Sequence, residues 1–290
     1  MTPLDYEFLR KLLKERSGLD LSADKQYLVE SRLLPLARRA GLGGITELVQ
    51  KMRSSSEQLT AQVVEAMTTN ETFFFRDKIP FDNLSEVILP ALIQARASRR
   101  SLRIWSAACS SGQEPYSIAM CLREYGAALS GWRIEIVATD LSHEVLEKSK
   151  AGLYSQFEVQ RGLPIQLLVK YFTQLGDIWQ LNADIRGMVQ HRQLNLLQDF
   201  SHLGKFDVIF CRNVLIYFDQ EGKTSIFERL ARVLEPDGTL MLGAAESVVG
   251  ITDVFRPTAD RRGAYQLNPA RAQRNTAGAI PSGLKVVAAR

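Results

Sequence analysis

Apolar residues at Leu4, Phe8 and Leu12, with Leu9 and Leu13 beside them, fall on one face of a helix. Thr2-Pro3 offers an N-cap followed by proline at the first helical position, Asp5 complements the helix dipole, and Gly18 ends the pattern. Ser22 can cap a second helix through Leu28, Val29 and Leu33, which Pro35 is expected to kink or break. Residues 46–52 and 56–67 predict a third and a fourth helix. The front of the chain therefore reads as a small helical bundle.

Beyond Phe81-Asp82 the pattern changes to alternating strands and helices. LRIWSAA (102–108), WRIEIVATD (132–140) and FDVIFCRN (206–213) predict buried strands. Helices are expected from about residue 115 to 125, after Ser142 as cap, and through IFERLARVL. Pro236-Asp237-Gly238 predicts a turn into TLMLGAAE, and VFRPTADRRGAYQLN two antiparallel strands around residues 261–263. Strands alternating with helices imply a parallel sheet that binds its ligand at the carboxyl ends of the strands. Residues 152–197 break the rhythm. A helical piece over about 163–172 precedes an alternating stretch with turn signals at Asn182 and Gly187, read as a short β-hairpin set before or merging into a sheet strand.

Composition narrows the class. At 46% hydrophobic and 23% charged, the chain is that of an ordinary soluble protein, with no apolar run long enough to span a bilayer. The amino terminus carries acids among its apolar residues and reads as no signal peptide. The net charge of +4 equals the four basic residues Arg271, Arg274, Lys285 and Arg290 that follow Pro269, so the rest of the chain balances. A nucleic-acid binder concentrates charge on a folded face, so a solvated basic tail over 269–290 is the better reading. Cys109, Cys121 and Cys211 have no CxxC spacing, and His143, His191 and His202 no metal-ligand spacing. A reducing, cytoplasmic setting without a metal or disulfides is expected.

The first βα turn then poses a chemical question. It carries one glycine, Gly112, where a dinucleotide fingerprint needs three to let a pyrophosphate approach the backbone. A nucleoside cofactor without phosphate makes no such demand. It needs a loop near its polar end and an acid on the next strand for its ribose hydroxyls, and S-adenosylmethionine fits that description. Asp140 closes the second strand and can accept from two neighbouring hydroxyls, although a strand-end Asp also serves as a helix cap. Glu114 lies in the turn, where it can pair with an ammonium group or favour the helix N-terminus. In Thr69-Asn70-Glu71-Thr72-Phe73-Phe74-Phe75-Arg76-Asp77, the phenylalanines read as core or pocket wall. Arg76 can hold a carboxylate in its planar fork or pair with Asp77. Asn195 and Arg212-Asn213 fall at strand ends on the cofactor side.

Taken together and in order, TTNETFFFRD, RIWSAACSSGQEPYSIAM, ATDLS, LNLL, FDVIFCRNVLIYF and LEPDGTLMLGAAES resemble the chemotaxis receptor methyltransferases, the CheR family, over about residues 4–267. The resemblance implies an α/β fold: a class I S-adenosylmethionine-dependent, Rossmann-like sheet with a small N-terminal helical domain and an inserted β-hairpin subdomain. The expected division is a helical domain and linker over 1–77 and a methyltransferase domain over 78–268, with the insertion at about 155–194. The implied activity is methylation of glutamate side chains on the cytoplasmic helices of methyl-accepting chemoreceptors, with S-adenosylhomocysteine as product. Carried over by position, the resemblance makes Asn70, Thr72 and Arg76 polar contacts from linker to cofactor, Glu114 the partner of its amino group and Asp140 the ribose ligand. Asn195 and Leu196 would lie beside the adenine, Arg212 and Asn213 would close the site, and Tyr217 would stand near the transferred methyl, unless its ring packs under the sheet end.

That chemistry needs no strong base, because a glutamate with a pKa of about 4.3 is already ionised at neutral pH. Arg76 is expected to orient the acceptor carboxylate and Tyr217 to donate a hydrogen bond to it. The insertion looks a few residues short of the type that grips a receptor tail peptide, so independence from such a tether is expected. Arg32, Arg38 and Arg39 would then contribute to recognition of acidic receptor helices, or simply form a solvated face. The competing reading is a cofactor-binding signalling module without turnover. Cys211-Arg212-Asn213-Val214 stands where a base-amine methyltransferase carries Asn/Asp-Pro-Pro-aromatic, and the missing glycines disfavour a dehydrogenase.

Overall fold

The computed structural model describes residues 1–54 and 56–270. The tail expected from 269 onward lies, from residue 271, outside the described residues. Helix α1 (Pro3–Ser17) begins with a reciprocal cap: the Thr2 hydroxyl accepts from the Asp5 N–H at 3.2 Å and the Asp5 carboxylate from the Thr2 N–H at 3.0 Å. Helix α2 (Gln26–Arg39) continues through Pro35, contrary to an expected break. Pro35 is exposed, so the carbonyl it leaves without a helical partner can bond water. Ser22 does not cap α2; a 3₁₀ turn (Ala23–Lys25) intervenes, and the Ser22 hydroxyl bonds Asp24. Helices α3 (Ile45–Arg53) and α4 (Glu57–Met67) complete the bundle, whose centre is made of the fully buried Leu9, Leu13, Val29, Leu33, Leu48 and Val63.

A helical segment that the periodicity does not mark follows the linker: α5 (Ile79–Asn83), a π-helical turn (Leu84–Ile88) and α6 (Leu89–Ala95). Pro80 and Pro90 obscure it in sequence; Pro80 sits in the first turn of α5, where no N–H is needed, and Pro90 directly follows the π-helical turn that interrupts the regular helical ladder.

The remaining elements are β1 (Ser101–Ala107), α7 (Gln113–Glu124), β2 (Arg133–Asp140), α8 (His143–Ala151), β3 (Leu153–Ser155), α9 (Gln156–Gln160), α10 (Ile165–Tyr171), β4 (Phe172–Leu175), β5 (Ile178–Leu181), α11 (Ala183–Arg186), β6 (Val189–Gln193), β7 (Phe206–Cys211), α12 (Gln220–Val233), β8 (Leu234–Leu242), β9 (Phe255–Pro257) and β10 (Ala264–Leu267). The main sheet has the order β6-β2-β1-β7-β8-β10-β9. Its first five strands are parallel; β10 pairs antiparallel to β8, and β9 pairs antiparallel to β10 at the far edge. The order reverses between β1 and β7, which opens a crevice at their carboxyl ends. The sheet is buried on both faces, by a cluster that includes Leu102, Ile104 and Phe210 and by one that includes Trp105, Ile209 and Phe227.

Two stretches divide differently from their sequence reading. The hairpin turns between β4 and β5, at Gly176-Asp177, and β3 joins it as a three-stranded sheet of order β3-β5-β4. Asn182 and Gly187 instead bound the short α11, and residues 189–193, expected inside the insertion, pair with β2 as an edge strand of the main sheet. Pro236-Asp237-Gly238 lies within β8, where the register jumps from Phe206↔Leu234 to Val208↔Thr239; the turn signal marks a bulge.

At the amino-terminal edge of the sheet, the buried Asp207 accepts from Arg96 Nε at 2.8 Å, Arg99 Nη2 at 2.6 Å and the Arg103 N–H at 2.8 Å. That network fastens the end of the sheet remote from the crevice. Cys109, Cys121 and Cys211 are free and buried, and among the described residues no His, Cys, Asp and Glu cluster could hold a metal ion. No described helix is long and apolar enough to cross a membrane.

Candidate active site

The turn after β1 is held in a conformation that most side chains avoid. Ala108 and Ser110 have φ of 57° and 50°, and Gly112 has φ of 95°. The loop is fixed from three sides: the Cys109 N–H donates to the Thr139 carbonyl at 2.9 Å, the Ser110 N–H to Asp140 Oδ2 at 2.8 Å, and the Ser110 hydroxyl to the Asn70 carbonyl at 2.8 Å. Gly112 has no room for a side chain, since a Cβ there would stand 2.2 Å from Ser149 Oγ. At Gly112 a positive φ coincides with close packing on α8, which is where the turn requires its glycine.

Asp140 ties two strand ends together. Its Oδ1 accepts the Ser142 N–H at 2.9 Å, and its Oδ2 accepts from Ser110 as above. The cap of α8 is Ser142 itself, whose hydroxyl accepts from the Val145 N–H. Each Asp140 oxygen keeps capacity for a further donor. Burial raises its carboxyl above the usual range, partly offset by those N–H groups.

Glu114, in the first turn of α7, does more than complement a dipole. Its Oε1 accepts from Ser106 Oγ and its Oε2 from Arg212 Nη1, both at 2.8 Å. Burial pushes this carboxyl up, and the nearby Arg212 charge opposes that. Arg212 Nη2 also reaches Asp77 and the Arg76 carbonyl, each at 2.8 Å, while its buried Nε has no protein partner. This guanidinium thus faces two carboxylates and locks the linker onto the ends of β1 and β7. The alternative pairing of Arg76 with Asp77 is not formed; Asp77 serves Arg212.

Arg76 donates to the carbonyl of Glu71 at 2.8 Å and has no carboxylate partner among the described residues. The three phenylalanines before it divide their tasks. Phe74 is fully buried, edge-on to Tyr154 at 5.0 Å and Phe172 at 5.6 Å, and Phe75 packs on Phe81 at 5.2 Å. Phe73 is half-buried. Asn70 Nδ2 donates to Thr68 Oγ1 at 3.1 Å.

The loop after β7 carries Arg212, Asn213 at φ 58°, and a 3₁₀ turn (Leu215–Tyr217). Its organiser is a residue the sequence reading did not single out. The buried Glu246 carboxylate accepts four backbone N–H groups: Gly243 at 2.7 Å, Asn213 at 2.8 Å, Val214 at 2.9 Å and Leu215 at 2.7 Å. The available signal was an acid inside the apolar run GAAESVV. Tyr217 is half-buried at the end of this loop, and its hydroxyl has no partner among the described residues.

Asn195 and Leu196 follow β6. The Asn195 side chain is engaged by protein, with Nδ2 donating to the Arg16 carbonyl at 2.7 Å and Oδ1 accepting the Leu197 N–H at 2.9 Å. Leu196 is buried. The front bundle reaches the site here through the end of α1, a contribution the sequence reading missed. Arg32, expected on a basic recognition face, is committed elsewhere: it donates to the Met67 and Thr68 carbonyls at 2.6 and 2.9 Å and to Thr69 Oγ1 at 3.0 Å, anchoring the linker.

Asn70, Thr72, Arg76, Glu114, Asp140, Asn195, Leu196, Arg212, Asn213 and Tyr217 all line one cleft of about 1030 Å³, counting its open mouth. Ser17, Leu19, Met67 and Thr68 close it from the bundle side. The cleft suits S-adenosylmethionine on the donor set alone: a buried carboxylate with spare capacity at the end of β2, a second buried carboxylate in the first turn of α7, an apolar wall at Leu194 and Leu196, and no glycine cradle for a pyrophosphate.

The sheet order and the cleft at its switch point define a class I S-adenosylmethionine-dependent methyltransferase. Residues 70–264 match the CheR methyltransferase SAM-binding domain and residues 4–68 the CheR all-alpha domain. The chain belongs to the CheR methyltransferase family. It is 45% identical over 258 residues to chemotaxis protein methyltransferase 1 of Pseudomonas aeruginosa, covering 87% of this chain and 93% of that relative. It is 44% identical over 258 residues to chemotaxis protein methyltransferase Cher2 of Pseudomonas putida, with 87% and 94% covered. The chemotaxis protein methyltransferase of Vibrio parahaemolyticus is 40% identical over 255 residues, with 87% and 92% covered. The protein is a SAM-dependent methyltransferase of chemotaxis, with S-adenosylmethionine as its cofactor.

Proposed function

We propose that this enzyme methylates glutamate side-chain carboxylates on the cytoplasmic helices of chemoreceptors, forming methyl esters in the adaptation of a chemotaxis pathway in the cytoplasm. The observation that carries this reading is the contrast between the two arginines of the cleft. Arg212 is ion-paired to Glu114 and Asp77, whereas Arg76 bonds the Glu71 carbonyl and lies over the Phe73 ring with no ion pair among the described residues. A guanidinium without a carboxylate partner on a cleft wall is fitted to receive one.

When bound, S-adenosylmethionine would supply an electrophilic methyl group on a sulfonium with a neutral thioether as its leaving group. The acceptor glutamate, with a pKa of about 4.3, arrives ionised and needs no base. Arg76 orients its carboxylate, and the Tyr217 hydroxyl donates a hydrogen bond to it. Asp140 takes the ribose hydroxyls, and Glu114 draws the cofactor's amino group while remaining bonded to Arg212. Asn70 and Thr72 contact the cofactor from the linker, Asn195 and Leu196 border the adenine, and Arg212 with Asn213 closes the cleft. The protein's contribution is in-line positioning and exclusion of water, in which the bundle residues Ser17, Leu19 and Met67 take part. With Arg32 engaged in the linker, Arg38 and Arg39 are what remain of the basic stretch for acidic receptor helices. The enzyme works without gripping a receptor tail peptide.

The test uses methyl-labelled S-adenosylmethionine and a receptor cytoplasmic fragment. Mild base should release the label as volatile methanol, and replacing the accepting glutamates by glutamine should abolish incorporation. Cofactor binding without transfer to several receptor fragments would instead favour a signalling module without turnover. A fragment lacking its tail should be methylated as well as the full one; dependence on the tail would refute tether independence. Tyr217→Phe should retain cofactor affinity and lose about tenfold in kcat, the value of one hydrogen bond made in the transition state.

A further inference from the structure

Phe73 is flanked by two guanidinium groups. The Arg76 Cζ lies 5.6 Å from its ring centroid and the Arg161 Cζ 4.4 Å. The two arginines come from different parts of the chain. Arg76 ends the linker, whereas Arg161 lies between α9 and α10, next to the three-stranded sheet. The following residue, Gly162, pins Arg161 in place: its φ is +83°, and a Cβ there would stand 2.1 Å from the Phe74 carbonyl oxygen.

Glu71 bridges the pair. Its Oε1 accepts from Arg161 Nη2 at 2.6 Å, and its carbonyl accepts from Arg76 as described. The Arg161 bond, followed by the charges of Arg161 and Arg76, holds the Glu71 carboxyl below the usual range. Glu71 and Arg76 line the cleft, and the Glu71 and Arg161 side chains are 59% and 40% exposed, which places their ion pair on the cleft rim. Such exposed pairs hold weakly and exchange partners readily. At the rim the Glu71 carboxylate therefore pairs with Arg161 alone, while Arg76 beside it bonds only the Glu71 carbonyl and keeps its guanidinium free of an ion pair among the described residues.

We propose that Arg161 and Arg76 form a carboxylate subsite for the acceptor segment, in which Glu71 stands in for an acidic side chain until the acceptor arrives. The ligand is an acidic helix. Side chains one helical turn apart, roughly 5–6 Å between their Cβ atoms, can address two guanidinium groups that share one phenyl ring. The glutamate to be methylated engages Arg76, a flanking acid engages Arg161, and Glu71 is released to solvent. Arg161 is thus a specificity residue contributed by the inserted region. This inference rests on the reading of the acceptor as a receptor glutamate.

The test is steady-state kinetics with methyl-labelled S-adenosylmethionine and a helical receptor fragment, for wild type, Arg161→Gln and Glu71→Gln. Arg161→Gln should raise the acceptor KM about fivefold or more, with kcat and cofactor affinity within about twofold. Glu71→Gln, which removes the resident carboxylate, should lower the acceptor KM by about twofold or more. Replacing the fragment's flanking acids by glutamine should raise the wild-type KM and abolish the effect of Arg161→Gln. An unchanged acceptor KM in Arg161→Gln, or a parallel loss of cofactor affinity, would overturn the subsite while leaving wild-type turnover and the glutamate reading intact. Failure of the wild type to form base-labile ester on any receptor fragment would overturn both.

Discussion

Gly18 sits directly against Phe218: a Cβ on Gly18 would stand 2.0 Å from Phe218 Cε1, at a backbone φ of +76°. This close approach lies on a seam along which the end of α1 meets the loop that carries Tyr217. On either side of it the Asp20 N–H donates to the Tyr217 carbonyl at 2.9 Å, and Lys14 pairs with Asp219 at 2.7 Å. Gly18→Ala should therefore separate bundle from sheet. We expect a stability loss of about 1–3 kcal/mol from overpacking and positive φ, together with weaker cofactor binding. A thermal melt paired with cofactor titration checks this; an unchanged dissociation constant would mean that the seam has no bearing on the cleft.

Glu246 holds the same loop from the opposite side. In Glu246→Gln one carbonyl oxygen must replace a carboxylate that accepts four N–H groups, and the amide's own hydrogens oppose the rest. The cost should be about 2–4 kcal/mol, in the range for charge-assisted bonds lost from a buried site. Because Asn213 and Tyr217 both ride on this loop, cofactor affinity and kcat should fall together. Native-like near-ultraviolet dichroism with full activity would refute the positioning role.

Asp140 and Glu114 are both raised by burial, and this gives opposite signs for binding and stability. The roles proposed for them require the ionised form, so cofactor affinity should decline on acidification at a pH above the ordinary carboxylate range of about 4. Stability responds in reverse. A carboxyl raised in the folded state binds its proton more tightly there than in the unfolded chain, so its stabilising contribution is present at low pH and lost as pH rises through the folded value. Isothermal titration at pH 7.5 and 5 tests the first statement. Asp140→Asn should bind cofactor about tenfold or more weakly at neutral pH and show a shallower pH profile.

His191 works in the other direction. Burial of this β6 side chain against α8 lowers it to about 4, with Ser149 Oγ 2.6 Å from its Nε2 and Tyr116 edge-on at 6.1 Å. The unfolded chain takes up a proton near pH 6.5 that the folded protein refuses until about pH 4. Stability should therefore be lost as pH falls between those values, by less than the roughly 3 kcal/mol of the full shift because the ring is partly solvated. Urea midpoints at pH 7 and 5 should diverge less in His191→Gln than in wild type.

Much of the site was readable because strand ends announce themselves. Asp140 closes an alternating run, Arg212 and Asn213 end another, and the sheet rule sends both to one edge, where all ten residues in fact line a single cleft. Partner choice was not readable in the same way. Whether Arg76 or Arg212 would take Asp77 depends on how the linker crosses β7, and nothing in local sequence encodes that crossing. The hairpin misplaced at Asn182 and Gly187 has a similar cause. Residues 189–193 alternate like an exposed hairpin strand, and only pairing with β2 distinguishes an edge strand of the main sheet.

The sequence by itself determined the passage from a helical bundle to alternating strands and helices, the caps at Thr2 and Ser142, the cofactor class and the positions that face the cleft, because these follow from periodicity, turn chemistry and short-range spacing. The tertiary structure alone decided that Glu246 gathers four N–H groups, that Asn195 serves Arg16 across the seam, and that Arg161 meets Arg76 over Phe73. Each of these brings together residues far apart in the chain through a few hydrogen bonds or ring contacts. Such contacts leave no periodic trace in sequence, since their geometry exists only after the bundle, the sheet and the inserted strands have packed together.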